Sequence, residues 1–239
     1  MMSTGYDVAA SRPLPARKGL ADEMPDGMTA VFIGDSITDA GRRSDPSGFL
    51  GAGYVRRLKE MADEREAPLR IINSGVSGDR IREMRRRWQQ DCLAHRPDIV
   101  TVLIGVNDTW RRFDAGETTS AEQYTEDYQA ILGSAVAAGV TRLVVMEPFL
   151  VPVNEDQVQW RVQDLDLKID ASRTVAAEYG ASLVPLDGLM NAEARVHGPL
   201  SVVGDGVHPS ARGHQLIADG WWSVMADHLA VGAVHEAAG

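Results

Sequence analysis

The chain has a single cysteine, no long apolar run and a shortage of basic residues, and each absence excludes a class of protein. Cys92 cannot form an intrachain disulfide, and we predict that it is a buried helix residue rather than a nucleophile. No apolar stretch is long enough to span a bilayer, and the first 27 residues lack the apolar segment of a secretory signal. These features predict a soluble, cytoplasmic protein.

Acidic residues outnumber basic residues by 34 to 24, which gives the chain a formal net charge of −10. Because phosphate recognition relies on lysine and arginine, this charge argues against nucleic acid or an acidic membrane as a partner. A local cluster of arginines is the exception, and its helical spacing favours a solvated surface over a binding patch. The cluster consists of Arg80, Arg82, Arg85, Arg86 and Arg87.

The composition is that of an ordinary globular protein, with 44% hydrophobic and 24% charged residues among the 239. Neither an internal repeat nor a low-complexity linker divides the chain. We therefore predict a single domain over residues 1–239, with an N-terminal extension of about 1–27 and a short C-terminal tail over 231–239.

Short apolar runs alternate with segments of helical periodicity along the chain. The predicted strands are 28–33, 69–73, 99–104, 142–146 and 182–185. The predicted helices are 54–65, 81–95, 120–138, 158–179 and 210–229. Because parallel strands need crossover connections, this alternation predicts an α/β fold with helices on both faces of a parallel sheet.

Small polar clusters follow the first three predicted strands, at residues 34–36, 75–79 and 105–108. The carboxyl ends of parallel strands lie along one sheet edge, which is where open α/β sheets bind their ligands. A fourth pair, Asp205 and His208, directly precedes the last predicted helix. The topology therefore predicts that all four clusters meet in one crevice.

These clusters contain the residue types that serine-based acyl transfer needs. Ser36 requires a neighbouring base, and His208 is the favoured candidate because Pro209 stiffens the chain next to it. Asp205 lies three residues earlier and can orient the imidazole, while His197 in a predicted loop is the rival base. The residues themselves therefore predict a hydrolase.

The negative charge of a tetrahedral intermediate needs hydrogen-bond donors. The backbone N–H groups of Ser36 and Gly78 and the side-chain amide of Asn107 are the candidates. Each cluster also has a purely structural interpretation: the serine can belong to an ordinary turn, and Asn107 with Asp108 can cap a helix. The joint occurrence of all four clusters at strand ends favours a catalytic site.

The four clusters resemble the conserved blocks of the SGNH, or GDSL-type, hydrolase superfamily. They correspond here to Gly34-Asp35-Ser36, Gly78, Asn107 in Gly105-Val106-Asn107-Asp108, and Asp205-x-x-His208. The resemblance implies a three-layer α/β/α flavodoxin-like fold with a five-stranded parallel sheet of order 2-1-3-4-5. It further implies Ser36 as nucleophile, His208 as base and then acid, Asp205 as orienting carboxylate, and neither a metal nor an organic cofactor.

A narrower resemblance, to bacterial intracellular acetylxylan esterases, is carried by residues 33–42, 51–55, 107–111 and 148–149. It implies deacetylation of short xylo-oligosaccharides and a possible homo-oligomer. Trp110 could stack on a sugar ring and Arg111 could hydrogen-bond its hydroxyls, although both could equally be packing or solvent-facing residues. Asp35, Trp110 and Arg111 are the candidate substrate-binding residues.

Other functions remain open from the sequence. A lysophospholipase or thioesterase on the same scaffold would need an extended apolar groove, which the mixed composition of residues 147–156 disfavours only weakly. A carbohydrate-binding protein without catalysis would not need all four clusters intact. A mononucleotide-binding flavodoxin-like protein would need a glycine-rich phosphate loop that the sequence lacks.

Overall fold

A computed structural model describes residues 27–46 and 48–234 of the chain. Its five strands are β1 (Met28–Gly34), β2 (Leu69–Gly75), β3 (Ile99–Leu103), β4 (Arg142–Met146) and β5 (Ser182–Val184). All neighbouring strands pair in parallel, in the order β2-β1-β3-β4-β5. The predicted sheet is therefore confirmed, including its strand order.

Helices connect the strands, and further helices come after the last strand in the chain. They are α1 (Ser36–Asp39), α2 (Tyr54–Glu64), α3 (Ile81–Asp91), α4 (Val106–Asp114), α5 (Ala121–Ala137), α6 (Glu155–Trp160), α7 (Asp166–Glu178), α8 (Leu186–His197), α9 (Pro199–Val202) and α10 (Ala211–Val234). In the described part of the chain, short 3₁₀ segments occur at Arg42–Ser44 and Leu93–His95, and a π-helical segment at Arg161–Leu165 joins α6 to α7.

Alternate residues of the central strands pack into two hydrophobic cores, one on each face of the sheet. In β1, Ala30 and Phe32 pack with α2 and α10, whereas Val31 and Ile33 pack with α3 and α5. This alternation follows from the two-residue period of a strand, and it is why the central strands consist of apolar residues on both faces. The three-layer α/β/α architecture is confirmed.

Several local predictions differ from the structure. Helices α4, α8 and α9 were not predicted, and the predicted helix 158–179 begins earlier and contains the π-helical segment. The predicted helix 81–95 ends at Asp91, because the chain turns at Cys92 into a 3₁₀ segment. Cys92 itself is buried as predicted, and burial raises the pKa of its thiol to about 12.

The arginine cluster is only partly a solvated surface. Arg85 and Arg86 are exposed, but the side chains of Arg80 and Arg87 are only 11% and 16% exposed. Acidic partners and backbone carbonyls on neighbouring elements hold these two guanidinium groups, so their direction was decided by tertiary packing.

The predicted N-terminal extension and the end of the C-terminal tail lie outside the described residues. Within the described part of the chain, no helix has the length and apolar character needed to cross a membrane.

Candidate active site

The candidate active site is built around Ser36, the first residue of α1, at the carboxyl end of β1. The Asp35 carboxylate caps this short helix by accepting a hydrogen bond from the Ile37 N–H at 3.0 Å. The N–H groups of a helix's first turn have no partner within the helix. Ser36 therefore presents both a hydroxyl and a backbone N–H at the edge of the sheet.

Asp205 and His208 lie on one tight turn before α10. Asp205 Oδ1 accepts the backbone N–H groups of Val207 and His208 at 3.0 and 2.8 Å, and Oδ2 lies 2.7 Å from His208 Nδ1. An antiparallel bridge between Val203 and Pro209 closes the turn. Partial burial opposes ionisation of Asp205, but the hydrogen bonds from His208 outweigh it and lower the pKa of the carboxyl.

The structure brings the predicted serine, histidine and aspartate together. Ser36 Oγ lies 3.0 Å from His208 Nε2, although 172 positions separate the two residues. When Nδ1 donates its proton to Asp205, Nε2 is left as the acceptor for the serine hydroxyl. The rival His197 lies instead at the end of α8, next to Glu193.

The loop between β2 and α3 carries Gly78, a predicted oxyanion donor. Gly78 has φ of +87°, a conformation that L side chains adopt rarely, and a Cβ there would meet no atom within 4 Å. Its neighbours are anchored: Ser77 donates its N–H and Oγ–H to Asp39, and Asn107 donates from Nδ2 to the Asp79 carbonyl at 3.1 Å. One N–H of the Asn107 amide remains for a ligand.

Asp108 ties the start of α4 to the start of α3. Its Oδ2 accepts the backbone N–H of Ile81 at 3.0 Å, so the loop that carries Gly78 and the helix that carries Asn107 share two hydrogen bonds. Burial raises the pKa of the Asp108 carboxyl to about 6, with the Ile81 hydrogen bond opposing that shift. The segments that carry Gly78 and Asn107 therefore belong to one connected unit.

The predicted role of Asp35 as a substrate contact does not fit the structure. Asp35 is fully buried, its Oδ1 serves as the cap of α1, and its Oδ2 has no hydrogen-bond partner among the described residues. Burial raises the pKa of this carboxyl to about 7, opposed by the Ile37 N–H and by His208. A residue without exposed surface cannot touch a sugar, so Asp35 supports the helix that presents Ser36.

Trp110 lies beside the site, with its ring centroid 6.1 Å from that of His208. Its ring also lies 5.7 Å from that of Trp160, which in turn stacks on Phe113 at 5.6 Å. Arg111 forms an ion pair with Asp114 and lies over the Trp110 ring at 5.7 Å. The predicted position of Trp110 near the catalytic cluster is therefore observed, whereas Arg111 is engaged by its own helix.

Gln157, which no sequence pattern predicted, supports the turn that carries Asp205 and His208. Its Nε2 donates to the Asp205 carbonyl at 2.7 Å, and its Oε1 accepts the Val153 N–H at 2.9 Å. Gly206 has φ of +95°, and a Cβ there would lie 2.3 Å from the Gln157 side chain. No local pattern marks Gln157, because its partner lies 48 positions away.

Among the described residues, no cluster of His, Cys, Asp and Glu could hold a metal ion.

The geometry agrees with a comparison of the sequence against known families. A sequence model described as the GDSL-like Lipase/Acylhydrolase family matches residues 32–216. The chain belongs to the GDSL-like lipase/acylhydrolase family. It is therefore an ester hydrolase by family, and the resemblance seen in the sequence is confirmed.

Relatives of this GDSL-family chain include the acetylxylan esterase of Geobacillus stearothermophilus, which is 33% identical over 201 residues. The match covers 80% of this chain and 91% of the relative. A crystal structure of that esterase has a TM-score of 0.75 at 29% identity and covers 84% of this chain and 96% of its own. An α/β hydrolase enzyme from the metagenome of Lake Arreo, Spain, has a TM-score of 0.75 at 30% identity, covering 84% and 95% of the two chains.

Solved structures of the Geobacillus esterase include three catalytic mutants that are 28% identical to this chain, with a TM-score of 0.76. They replace an aspartate, a serine and a histidine by alanine. The mutated aspartate and histidine lie three positions apart in that protein, as Asp205 and His208 do here.

Proposed function

We propose that this GDSL-family hydrolase removes acetyl groups from short acetylated carbohydrates, with xylo-oligosaccharides as the favoured class. The observation that carries the proposal is the hydrogen-bonded series Ser36, His208 and Asp205 at the edge of the sheet. The acetylxylan esterase relative supports the choice of substrate.

Acylation begins when Ser36 Oγ attacks the carbonyl carbon of the acetyl ester. His208 Nε2 takes the hydroxyl proton as the new C–O bond forms, and Asp205 stabilises the resulting imidazolium. The tetrahedral intermediate then collapses, and the sugar alcohol leaves with the proton from His208. The products of this half-reaction are a free sugar hydroxyl and an acetyl-serine.

Water completes the cycle by the same route. His208 deprotonates a water molecule, which attacks the acetyl-serine carbonyl, and Ser36 recovers its proton as acetate leaves. In both half-reactions the charged oxygen faces the N–H groups of Ser36 and Gly78 and the free amide hydrogen of Asn107. Each such donor contributes about 3–4 kcal/mol to the stability of the transition state.

Two features beside the triad favour a small acyl group on a sugar. Phe149, Leu150 and Val151 in the loop after β4 are buried, so they do not form an open groove for a long acyl chain. Trp110 is partly exposed beside His208 and offers an aromatic ring to a sugar. Arg111 is proposed as a polar contact that would have to leave Asp114 to bind a hydroxyl.

A longer-chain acyl hydrolase is the second candidate. Val158 and Val162 are 45% and 67% exposed on either side of Trp160, so some apolar surface is open near the site. A comparison of p-nitrophenyl acetate with p-nitrophenyl octanoate separates the two candidates. Higher kcat/KM for the octanoate would overturn the deacetylase proposal.

The decisive variant is Ser36→Ala. It should lower kcat on acetylated xylobiose to the background of the assay, because no other group can form the acyl intermediate. The thermal unfolding temperature should stay within a few degrees of the parent's, because the hydroxyl is only partly buried. Retained ester cleavage by the folded variant would contradict the assignment of Ser36.

Two further arms complete this experiment. Peracetylated glucose and a lipid ester, run beside acetylated xylobiose, rank the substrate classes. Tight sugar binding without fluorophosphonate labelling of Ser36 would instead indicate a carbohydrate-binding protein without catalysis. A cytoplasmic location, a homo-oligomer, independence from cofactors and the lack of nucleic-acid or membrane partners stay predictions from the sequence.

A further inference from the structure

The guanidinium group of Arg87 joins three segments that surround the candidate nucleophile. It donates from Nη2 to the Gly34 carbonyl at 3.0 Å, from Nη1 to the Ser74 carbonyl at 2.7 Å, and from Nε to Asp79 Oδ2 at 2.6 Å. Nη1 also donates to Asp91 on the same helix at 3.1 Å. One side chain therefore links the ends of β1 and β2 to the loop that carries Gly78.

The positions of the acceptors connect Arg87 to the catalytic geometry. Gly34 is two residues before Ser36, and its carbonyl also accepts the Val76 N–H at 3.0 Å. Asp79 directly follows Gly78, and its carbonyl accepts the amide of Asn107. Arg87 therefore holds the strand that ends at the nucleophile and the residue that connects two candidate oxyanion donors.

The Gly78 segment is held from both ends. Asp39, at the end of α1, accepts two hydrogen bonds from Ser77, while Arg87 holds Asp79. Gly78 between them has open space around the position of its missing Cβ. The direction of its N–H therefore depends on the two anchors, because the glycine has no side chain that could hold it.

A guanidinium group suits this position for a geometric reason. It presents five N–H donors in a fixed planar fork, so it can serve acceptors in several directions at once. Lysine has three donors on one nitrogen and cannot reach acceptors that lie around a plane. Glutamine has two N–H donors on one nitrogen and carries no charge to pair with the Asp79 carboxylate.

We propose that Arg87 is a positioning residue for this hydrolase, which fixes the Gly78 loop at the distance from Ser36 that transition-state stabilisation requires. The inference rests on the proposed function, since it takes Ser36 as the nucleophile and Gly78 as an oxyanion donor. Arg87 does not touch the substrate: its bonds are to Gly34, Ser74, Asp79 and Asp91.

The test compares Arg87→Lys and Arg87→Gln with the parent on p-nitrophenyl acetate, with kcat calculated per fluorophosphonate-reactive serine. Misplacing a catalytic group by about 1 Å can cost about 100-fold in rate. We therefore expect kcat to fall about 10- to 100-fold, with KM within about threefold of the parent's, because ground-state binding of the ester is untouched. The rate of fluorophosphonate labelling should fall in parallel.

Arg86→Ala is the matched control. Arg86 is the adjacent residue on α3, and its side chain is 77% exposed, with an ion pair to Glu83 at 3.9 Å. This variant should keep the parent's kcat, KM and labelling rate. Equal losses in Arg86→Ala and Arg87→Gln would show a general effect of removing a positive charge and would overturn the proposal.

A double-mutant cycle with Asn107→Ala separates positioning from simple stabilisation of the fold. If Arg87 acts through the oxyanion site, its substitution costs less in the Asn107→Ala background than in the parent. Losses in kcat that multiply fully in the double variant would overturn the proposal. The same holds if the single Arg87 variants keep a kcat per reactive serine within about threefold of the parent's. Should one Arg87 variant not fold, the other carries the same comparison.

Activities of the parent, Ser36→Ala and the Arg87 variants distinguish a wrong positioning role from a wrong proposed function. An active parent, an inactive Ser36→Ala variant and fully active Arg87 variants would remove the positioning role and leave the serine esterase intact. A parent inactive on every ester, or an active Ser36→Ala variant, would remove both.

Discussion

At the scale of single residues, the site combines an open catalytic pair with a buried carboxylate. The side chains of His208 and Asp205 are 46% and 48% exposed, whereas Asp35, directly before the nucleophile, has no exposed surface. Burial raises the pKa of Asp35 to about 7, so this carboxyl is partly ionised in the folded protein at neutral pH. Holding that charge in a buried position costs free energy. A substitution that removes the charge and keeps the helix cap should therefore stabilise the fold.

Asp35→Asn should raise the free energy of unfolding at pH 8 by on the order of 4 kcal/mol, because Asn accepts the Ile37 N–H without carrying a charge. The folded pKa lies above that of the unfolded chain, so the folded state holds a proton that the unfolded state releases between about pH 4 and pH 7. The penalty of the parent therefore grows as pH rises through that window and is absent near pH 4.

Urea unfolding of the parent and of Asp35→Asn at pH 5 and pH 8 measures this difference. A stability gap that does not change with pH would show that the carboxyl is not perturbed as described. Asn154 caps the start of α6 with its own side chain, so Asn154→Asp is a control cap that adds a charge at an exposed site. Its stability should change little between the two pH values.

At the scale of elements, the ends of helices receive their partners from distant parts of the chain. The first N–H of α2, at Tyr54, donates to Nδ1 of His214 on α10 at 3.2 Å. Gly53 precedes that helix because a Cβ at this position would lie 2.9 Å from the His214 ring. The imidazole therefore acts as a cap that joins two helices on one face of the sheet.

His214→Asn should reduce the acid sensitivity of the fold. Burial, with the charges of Arg57 and His208, lowers the pKa of His214 to about 4. Below about pH 6.5 the unfolded state therefore binds a proton at His214, whereas the folded state stays unprotonated there down to about pH 4. As a result, the stability of the parent falls as pH drops from about 6.5 to about 4. Asn keeps an acceptor for Tyr54 and has no such titration.

The parent should lose on the order of 3 kcal/mol more than His214→Asn between pH 7 and pH 4, as measured by chemical unfolding at both pH values. Titrations of the buried aspartates are common to both proteins and cancel in this comparison. Parallel pH curves for the two proteins would mean that His214 does not titrate abnormally.

At the scale of the whole molecule, two cores share one sheet. Ile217 on α10 lies in the core on one face and Ile131 on α5 lies in the core on the other, and both are buried. The strands between them contribute alternate side chains to the two cores. Loss of packing on one face should therefore be transmitted to the other, as expected for a single domain.

Ile217→Ala and Ile131→Ala should each destabilise the protein by about 2–5 kcal/mol, from lost burial and the cavity left behind. Each variant should still unfold in one transition, with tryptophan fluorescence and circular dichroism coinciding. Two separate transitions, only one of which shifts in each variant, would contradict the single-domain prediction.

The sequence by itself determined the sheet and the place of the chemistry. Apolar runs separated by helical periods dictate a parallel sheet, and the clusters that contain residues 36, 78 and 107 must then lie at one edge of it. Only the tertiary structure decided which side chains face the crevice. Asp35 is buried, Arg87 turns inward while Arg85 and Arg86 of the same helix are exposed, and Gln157 supports a turn 48 positions away. Periodicity reports which face of an element is buried, but a polar side chain takes its direction from partners that only the packed fold brings within hydrogen-bond distance.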